Sequence, residues 1–159
     1  MNLPGITVLT LPKEPIRVMP NCVSGLKVAL KMTGGVGDAI MAIGGTAKVL
    51  HEEGAICTAV VRKHQMELMQ QMVGVENCIE TQEFNRLDLQ MSFDVIVDFA
   101  STFNNRQELY REDYYALVSK RARRAVGPGK FKFDYLPCNR PIVVALHPSA
   151  SNPNRRWDD

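Results

Sequence analysis

The chain has 159 residues, of which 45% are hydrophobic, and its 19 basic and 17 acidic residues nearly balance. This length and apolar content suffice for one domain with a good core, and the balanced charge gives no reason to expect nucleic acid or an anionic membrane as a partner. The four widely spaced cysteines, without a C-x-x-C pair, argue against a zinc site or a disulfide framework and favour reduced thiols in a cytoplasmic protein.

The N-terminal residues 1–25 precede the first predicted sheet strand, and we predict an extension there to which we assign no chemistry. Prolines and charged residues stand where a signal peptide would need an apolar core, so the sequence indicates no secretion signal. Because no apolar run is long enough to span a bilayer, we also predict no transmembrane segment.

The stretch around which the chain is organised is LKVALKMTGGVGDAIMAIGG, residues 26–45. An apolar run, Val28–Leu30, is typical of a strand buried on both faces, and a glycine-rich turn and an amphipathic helix pattern follow it. This order places backbone N–H groups at the carboxyl edge of a sheet, where open α/β sheets bind anionic ligands. The turn lacks both the third glycine of the dinucleotide fingerprint and the Gly-Lys-Ser/Thr of a Walker phosphate loop.

Asp38 follows this turn, at a position where a phosphate-binding helix would normally avoid a carboxylate. One interpretation is an N-cap, in which the carboxylate accepts hydrogen bonds from the first N–H groups of the helix and stabilises it by about 1 kcal/mol. The other interpretation is a catalytic base held at the rim of a cleft. The residues alone favour the cap.

Strand and helix patterns alternate through the rest of residues 26–127. This alternation predicts an α/β domain, with a Rossmann-like parallel sheet covered by helices on both faces. Residues 128–140 contain two prolines and a glycine, as is typical of a linker. The predicted strands are residues 27–32, 55–61, 77–80, 93–98 and 124–127.

A basic cluster, KRARR at residues 120–124, ends the last predicted helix of this domain. Because no aromatic residues interleave the charges, we interpret it as a solvated helix end that complements the macrodipole rather than as a nucleic-acid site. An anionic ligand such as a phosphorylated sugar is a further partner that this cluster would suit.

Two segments together resemble glycosyltransferase family 9, the ADP-heptose:lipopolysaccharide heptosyltransferases. VALKMTGGVGDAIMAIGGTAKVL, from residue 28, is similar to the family's opening strand, glycine turn, Gly-Asp and helix. VALHPSASNPNRRW, from residue 144, is similar to its later strand and loop, with His-Pro and a basic pair before Trp. The resemblance implies that residues 26–127 are the N-terminal, acceptor-side domain of the two-domain GT-B architecture, and that residues 141–159 are the first strand and phosphate loop of a missing or truncated donor domain.

The resemblance also implies an inverting sugar transfer. Asp38 would take the proton of the acceptor hydroxyl while that oxygen attacks the anomeric carbon of a nucleotide sugar of the ADP-heptose type. Arg155 stands where the family has a lysine, and with Ser149 and Ser151 it would bind the departing diphosphate. We expect no cofactor and no metal, since the sequence has no Asp-x-Asp motif.

We expect the carbohydrate acceptor that the resemblance implies to bind at the carboxyl edge of the sheet, where the following residues would meet if the sheet is parallel. Gly35 and Gly37 belong to the turn, Asp98 ends the strand predicted at residues 93–98, and Asn104 lies in the loop that follows. A turn or N-cap role for Asp98 is an equally good interpretation.

Three classes of function stay open at this point. The first is a half or truncated glycosyltransferase, which we expect to be inactive as 159 residues unless a separate chain supplies the donor domain. The second is a non-catalytic module that binds a sugar nucleotide or an acceptor, and the third is a structural or regulatory fragment that forms a homo-oligomer. Product formation separates the first class from the others, and ligand binding without turnover separates the second from the third.

Overall fold

The computed structural model describes residues 13–100 and 111–133, and for residues 111–113 it describes the backbone alone. Within these ranges, four parallel strands form one sheet in the order β3-β2-β1-β4. The α/β fold class predicted from the sequence is therefore confirmed. The strands are β1 (Lys27–Lys31), β2 (Ile56–Val61), β3 (Val75–Glu80) and β4 (Val95–Asp98).

Helices connect the strands and follow the last of them. Helix α1 continues without a break through a π-helical stretch, Ile40–Gly44, into α2, and a 3₁₀ turn, Lys63–Gln65, leads into α3. The α-helices are α1 (Val36–Ala39), α2 (Gly45–Glu52), α3 (Met66–Gln70), α4 (Thr81–Phe84), α5 (Leu87–Gln90) and α6 (Arg111–Ala122). None of the described helices has the length and apolar character needed to cross a membrane.

Alternating side chains of the strands build a core on each face of the sheet. In β1, Val28 and Leu30 belong to a large cluster that includes buried residues of α2, α3 and α6, whereas Ala29 belongs to a smaller cluster on the other face. The smaller cluster is closed by Phe84 and Phe93, whose ring centroids lie 5.8 Å apart. Both faces of the central strand are thus buried, as its continuous apolar run predicts.

The prediction of a strand at residues 124–127 is wrong, because residues 125–130 form no strand or helix. The chain reverses at the end of α6 and packs Val126 into the core instead. Residues 130–132 then hydrogen-bond to the turn between α3 and β3: Val73 N–H donates to the Lys130 carbonyl at 2.7 Å.

Part of the predicted N-terminal extension adds to the sheet beside β4. Ile16 forms a parallel bridge with Val95 of β4. Its N–H donates to the Asp94 carbonyl at 2.8 Å, and its carbonyl accepts from Ile96 N–H at 2.9 Å. The bridge satisfies backbone groups on the outer edge of β4 that would otherwise be open to another chain.

Gly45 offers a test of how closely the segment after α6 packs on α2. A Cβ atom at this position would collide with the carbonyl oxygen of Gly127 and lie 2.8 Å from Val126 Cγ1. We expect Gly45→Ala to lower the free energy of unfolding by about 1–3 kcal/mol through overpacking, although alanine is the better helix former by about 1 kcal/mol. Urea unfolding followed by circular dichroism measures the change.

Gly37→Ala is the matched control, because Gly37 is also helical and a Cβ there would meet no atom within 4 Å. Its free energy of unfolding should stay the same or rise by up to about 1 kcal/mol. Equal effects of the two alanines would contradict the close approach of Gly45 and Gly127.

Candidate functional site

The candidate site lies at the carboxyl ends of β1 and β4, where the order of the strands reverses. From β1 the chain proceeds to β2 and β3 on one side and then returns to β4 on the other. In open α/β sheets, such a switch point leaves a crevice in which ligands bind. Lys31 and Asp98 end the two strands and are neighbours in the register, and the turn that contains Gly34 and Gly35 follows β1.

Asp38 lies at this edge, but its position in the helix differs from the predicted cap. Helix α1 begins at Val36 with Gly35 as its N-cap, so Asp38 is the third helical residue and the N-cap interpretation is wrong. Its Oδ2 accepts a hydrogen bond of 3.1 Å from Gly35 N–H, as the acidic residue of a capping box does. The carboxylate is half-buried and folds back over the glycine turn.

Two neighbours fix the position of Asp38. A Cβ atom on Gly34 would lie 2.7 Å from Asp38 Oδ2, so the absence of a side chain there makes room for the carboxylate. Tyr114 of α6 donates from its hydroxyl to the Asp38 carbonyl oxygen at 3.1 Å. The carboxylate is thus bonded to the turn through Gly35 N–H, and the backbone of Asp38 is tied to α6 through Tyr114.

Gly35 and Gly37, both predicted to bind the acceptor, are exposed at this turn. A Cβ on Gly35 would approach Asp38 Oδ2 no closer than 3.6 Å, and one on Gly37 would meet nothing within 4 Å. Packing within the described part of the chain therefore does not require glycine at either position. The open backbone leaves space for a ligand to approach the turn.

Asp98 lies on the same edge and is engaged by both of its carboxylate oxygens. Oδ2 pairs with Lys31 Nζ at 3.0 Å, and Oδ1 accepts from Ala100 N–H at 2.9 Å. The second bond supports the turn interpretation of Asp98. Since the side chains of Lys31 and Asp98 are 24% and 34% exposed, the pair remains within reach of solvent and of a ligand. Lys31 was not predicted from the sequence.

Gln65 is a second residue that sequence reasoning missed. It is 1% exposed, its Nε2 donates to the Gly34 carbonyl at 3.0 Å, and its Oε1 accepts from Arg62 N–H at 3.2 Å. One side chain thereby joins the turn after β1 to the turn after β2. The sequence gives no signal of this role, because the run RKHQ is typical of an exposed, polar strand end.

A cavity of about 380 Å³ opens beside these turns, at the carboxyl ends of β1, β2 and β3. The Thr81 Oγ1 atom is buried and has no hydrogen-bond partner within the described residues. Buried hydroxyl groups normally have one, so Thr81 is an exception in this part of the chain. The cavity is lined by Thr33, Arg62, Lys63, His64, Glu80, Thr81 and Gln82.

The described residues contain no group of three or more His, Cys, Asp and Glu side chains arranged to hold a metal ion. The thiols in this part of the chain are free, and burial raises the pKa of Cys57 to about 12 and that of Cys78 to about 11. Both thiols are therefore protonated and weakly nucleophilic at neutral pH.

The remaining predicted site residues, Asn104, Ser149, Ser151 and Arg155, lie outside the described residues. Comparisons with protein-family models, with curated proteins and with solved structures find no match to this chain. The resemblance to glycosyltransferase family 9 therefore stays a prediction, as do the roles of the residues derived from it.

Gln65→Glu tests whether this side chain holds the two turns together. Glutamate is isosteric and still accepts from Arg62 N–H, but it places a second acceptor against the Gly34 carbonyl. We expect the free energy of unfolding to fall by about 1–3 kcal/mol, the cost of an unmade buried hydrogen bond. Chemical denaturation measures it.

Gln82→Glu is the matched control, because Gln82 is exposed. Its stability should change by no more than about 0.5 kcal/mol. If Gln65→Glu had an equally small effect, the Gln65 bridge would not be what orders these turns.

Proposed function

We propose that this chain is the acceptor-side part of an inverting glycosyltransferase, which transfers a sugar from a nucleotide sugar of the ADP-heptose type to a hydroxyl group of a carbohydrate. The observation that carries the proposal is the half-buried Asp38 carboxylate, held beside an exposed glycine turn at the switch point of a parallel sheet. Ligands of open α/β sheets bind at this place, and a carboxylate is a suitable general base.

In this proposal, Asp38 accepts the proton of the acceptor hydroxyl while that oxygen attacks the anomeric carbon of the donor sugar. The bond from that carbon to the nucleoside diphosphate breaks on the opposite face, so the configuration inverts and the diphosphate leaves. The Gly35 N–H and the Tyr114 hydroxyl keep Asp38 in place, which reduces the reorganisation needed before proton transfer.

The acceptor occupies the cavity beside the turn and reaches toward the Lys31–Asp98 pair. A sugar presents hydroxyl groups that both donate and accept hydrogen bonds, and the lining provides partners for both, Arg62 as a donor and Glu80 as an acceptor among others. Pockets for small ligands begin at about 300 Å³, so a volume of about 380 Å³ accommodates a single sugar ring. Asn104 is a further acceptor ligand in this proposal.

The donor diphosphate would bind to Ser149, Ser151 and Arg155, the residues assigned by the resemblance. A guanidinium group and hydroxyl groups are suited to stabilise the negative charge that develops on the leaving oxygen. The donor is a substrate, and the proposal assigns no cofactor.

A non-catalytic binding module is the second candidate function. The hydrogen bond from Gly35 N–H gives the Asp38 carboxylate a role in starting the helix, which it has without any chemistry. In such a module the same cavity would hold a carbohydrate or a sugar nucleotide, and no product would form.

Asp38→Asn separates the two candidates. Asparagine retains an oxygen that accepts from Gly35 N–H, but it cannot take a proton, so turnover should fall by roughly 10²–10⁴-fold while stability changes by less than about 0.5 kcal/mol. Transfer from ADP-heptose to a truncated lipopolysaccharide is measured by mass spectrometry, with residues 1–159 alone and with an added donor-domain chain.

Asp94→Asn is the matched control, because Asp94 also accepts from a backbone N–H group, that of Lys27 at 2.8 Å, at the opposite edge of the sheet. Its turnover should equal that of the wild type. Near-wild-type turnover by Asp38→Asn would leave only the structural role, and the absence of product from every preparation would favour the binding module.

A further inference from the structure

A second cavity, of about 340 Å³, lies between the N-terminal segment and the C-terminal end of α6. We name it the basic crevice, since it is lined by Val18, Leu117, Lys120, Arg121 and Arg123. Val18 is 56% exposed, which leaves an aliphatic surface open beside three cations. None of its lining residues belongs to the Asp38 turn.

The three cations of the basic crevice form no ion pair with a carboxylate among residues 13–100 and 111–133. The next residue, Arg124, differs sharply from them. It binds both carboxylate oxygens of Glu53, at 2.7 and 3.0 Å, and this hydrogen bonding raises the pKa of the Arg124 guanidinium. Among the described residues, the charge of Arg124 is thus neutralised by Glu53, whereas the three cations of the crevice have no carboxylate paired with them.

Two of these cations are held in place by backbone carbonyl groups. Arg121 Nε donates to the Asp98 carbonyl at 3.2 Å, and Arg123 Nη1 donates to the Met19 carbonyl at 3.3 Å. Each guanidinium group carries five N–H donors, so both retain donors for a ligand. Such anchoring reduces the entropy lost when an anion binds.

The backbone conformation of Arg123 is a further observation that bears on the role of the basic crevice. Its φ is 52°, and it is the only described residue other than glycine with a positive φ. It follows α6 directly, and Arg124 N–H closes the helix end by donating to the Ser119 carbonyl at 3.2 Å. Glycine is the usual residue at such a position, because a side chain there is strained. Stopping the helix therefore does not explain the arginine, whose side chain contacts the Met19 carbonyl and lines the crevice.

We propose that the basic crevice binds a phosphate group whose molecule also carries an apolar part. Arginine forks match the oxygens of phosphate in a bidentate manner, and three uncompensated cations suit a dianion better than a carboxylate. Val18 and Leu117 contact the apolar part. A soluble phosphomonoester and the headgroup of a phosphorylated lipid share this chemistry.

Phenyl phosphate is the probe, titrated into the full 159-residue chain by isothermal calorimetry. We expect saturable binding that weakens as salt increases, weaker binding of phenyl sulfate, and none of phenol. Arg123→Gly should weaken phenyl phosphate binding at least about tenfold, through the loss of a charge-assisted hydrogen bond. Its melting temperature should change little, because relief of the strained φ offsets the loss of the hydrogen bond to the Met19 carbonyl.

Lys13→Gln is the matched control for Lys120→Gln, because Lys13 is exposed and does not line the crevice. Lys120→Gln should weaken binding, and Lys13→Gln should leave it unchanged.

A second experiment uses phosphatidylcholine vesicles with and without phosphatidic acid. Binding that requires phosphatidic acid and is lost in Arg123→Gly identifies a lipid as the source of the phosphate group. Binding of phenyl phosphate alone identifies a soluble source. If the wild type binds neither, or if Arg123→Gly binds as the wild type does, the proposal is overturned.

Discussion

The structure depends on the placement of β1 between two parallel neighbours. Its residues pair with β2 on one side and with β4 on the other, and its side chains are buried on both faces. Because the three strands run in the same direction, the turns that follow them meet at one edge. The Asp38 turn, the Lys31–Asp98 pair and the cavity at the ends of β1, β2 and β3 all result from this arrangement.

Glycines allow the segments around the central strand β1 to pack closely against one another. Gly34 makes room for the Asp38 carboxylate, and Gly45 lies against the backbone of Gly127. Gly74 has a φ of +85° and lies against the backbone of Ala47, so only glycine fits this turn without strain. Packing does not explain the exposed glycines of the candidate site, Gly35 and Gly37.

The sequence predicts the parts of the fold that arise from local patterns. The apolar runs of β1, β2 and β4 and the glycine turn before Asp38 are each contained in one segment, and the structure has strands and a turn at these positions. Parallel pairing then brings Asp38 and Asp98 to one edge, as predicted. What each of them does there stays a prediction, because local pattern carries no information on a ligand.

The features that sequence reasoning missed all depend on contacts between distant segments. Nothing near Ile16 indicates that it pairs with Val95, and the local pattern of residues 124–127 does not reveal that residues 125–130 form no strand after α6. Gln65 is polar, which predicts exposure, but the Gly34 carbonyl gives it a partner inside the protein. Burial of a polar side chain is decided by such a partner and not by its own chemistry.

Binding of a carbohydrate at the carboxyl edge of the sheet, in the cavity beside the Asp38 turn and toward the Lys31–Asp98 pair, is the central claim. Two-dimensional ¹H–¹⁵N NMR of the chain, titrated with a lipopolysaccharide core oligosaccharide, tests it most directly. We predict saturable shifts of the amide signals of Gly35, Gly37 and Ala100, with those of Lys27 and Asp94 at the opposite edge unchanged. Shifts confined to the opposite edge, or no saturable shift at any amide, would contradict it.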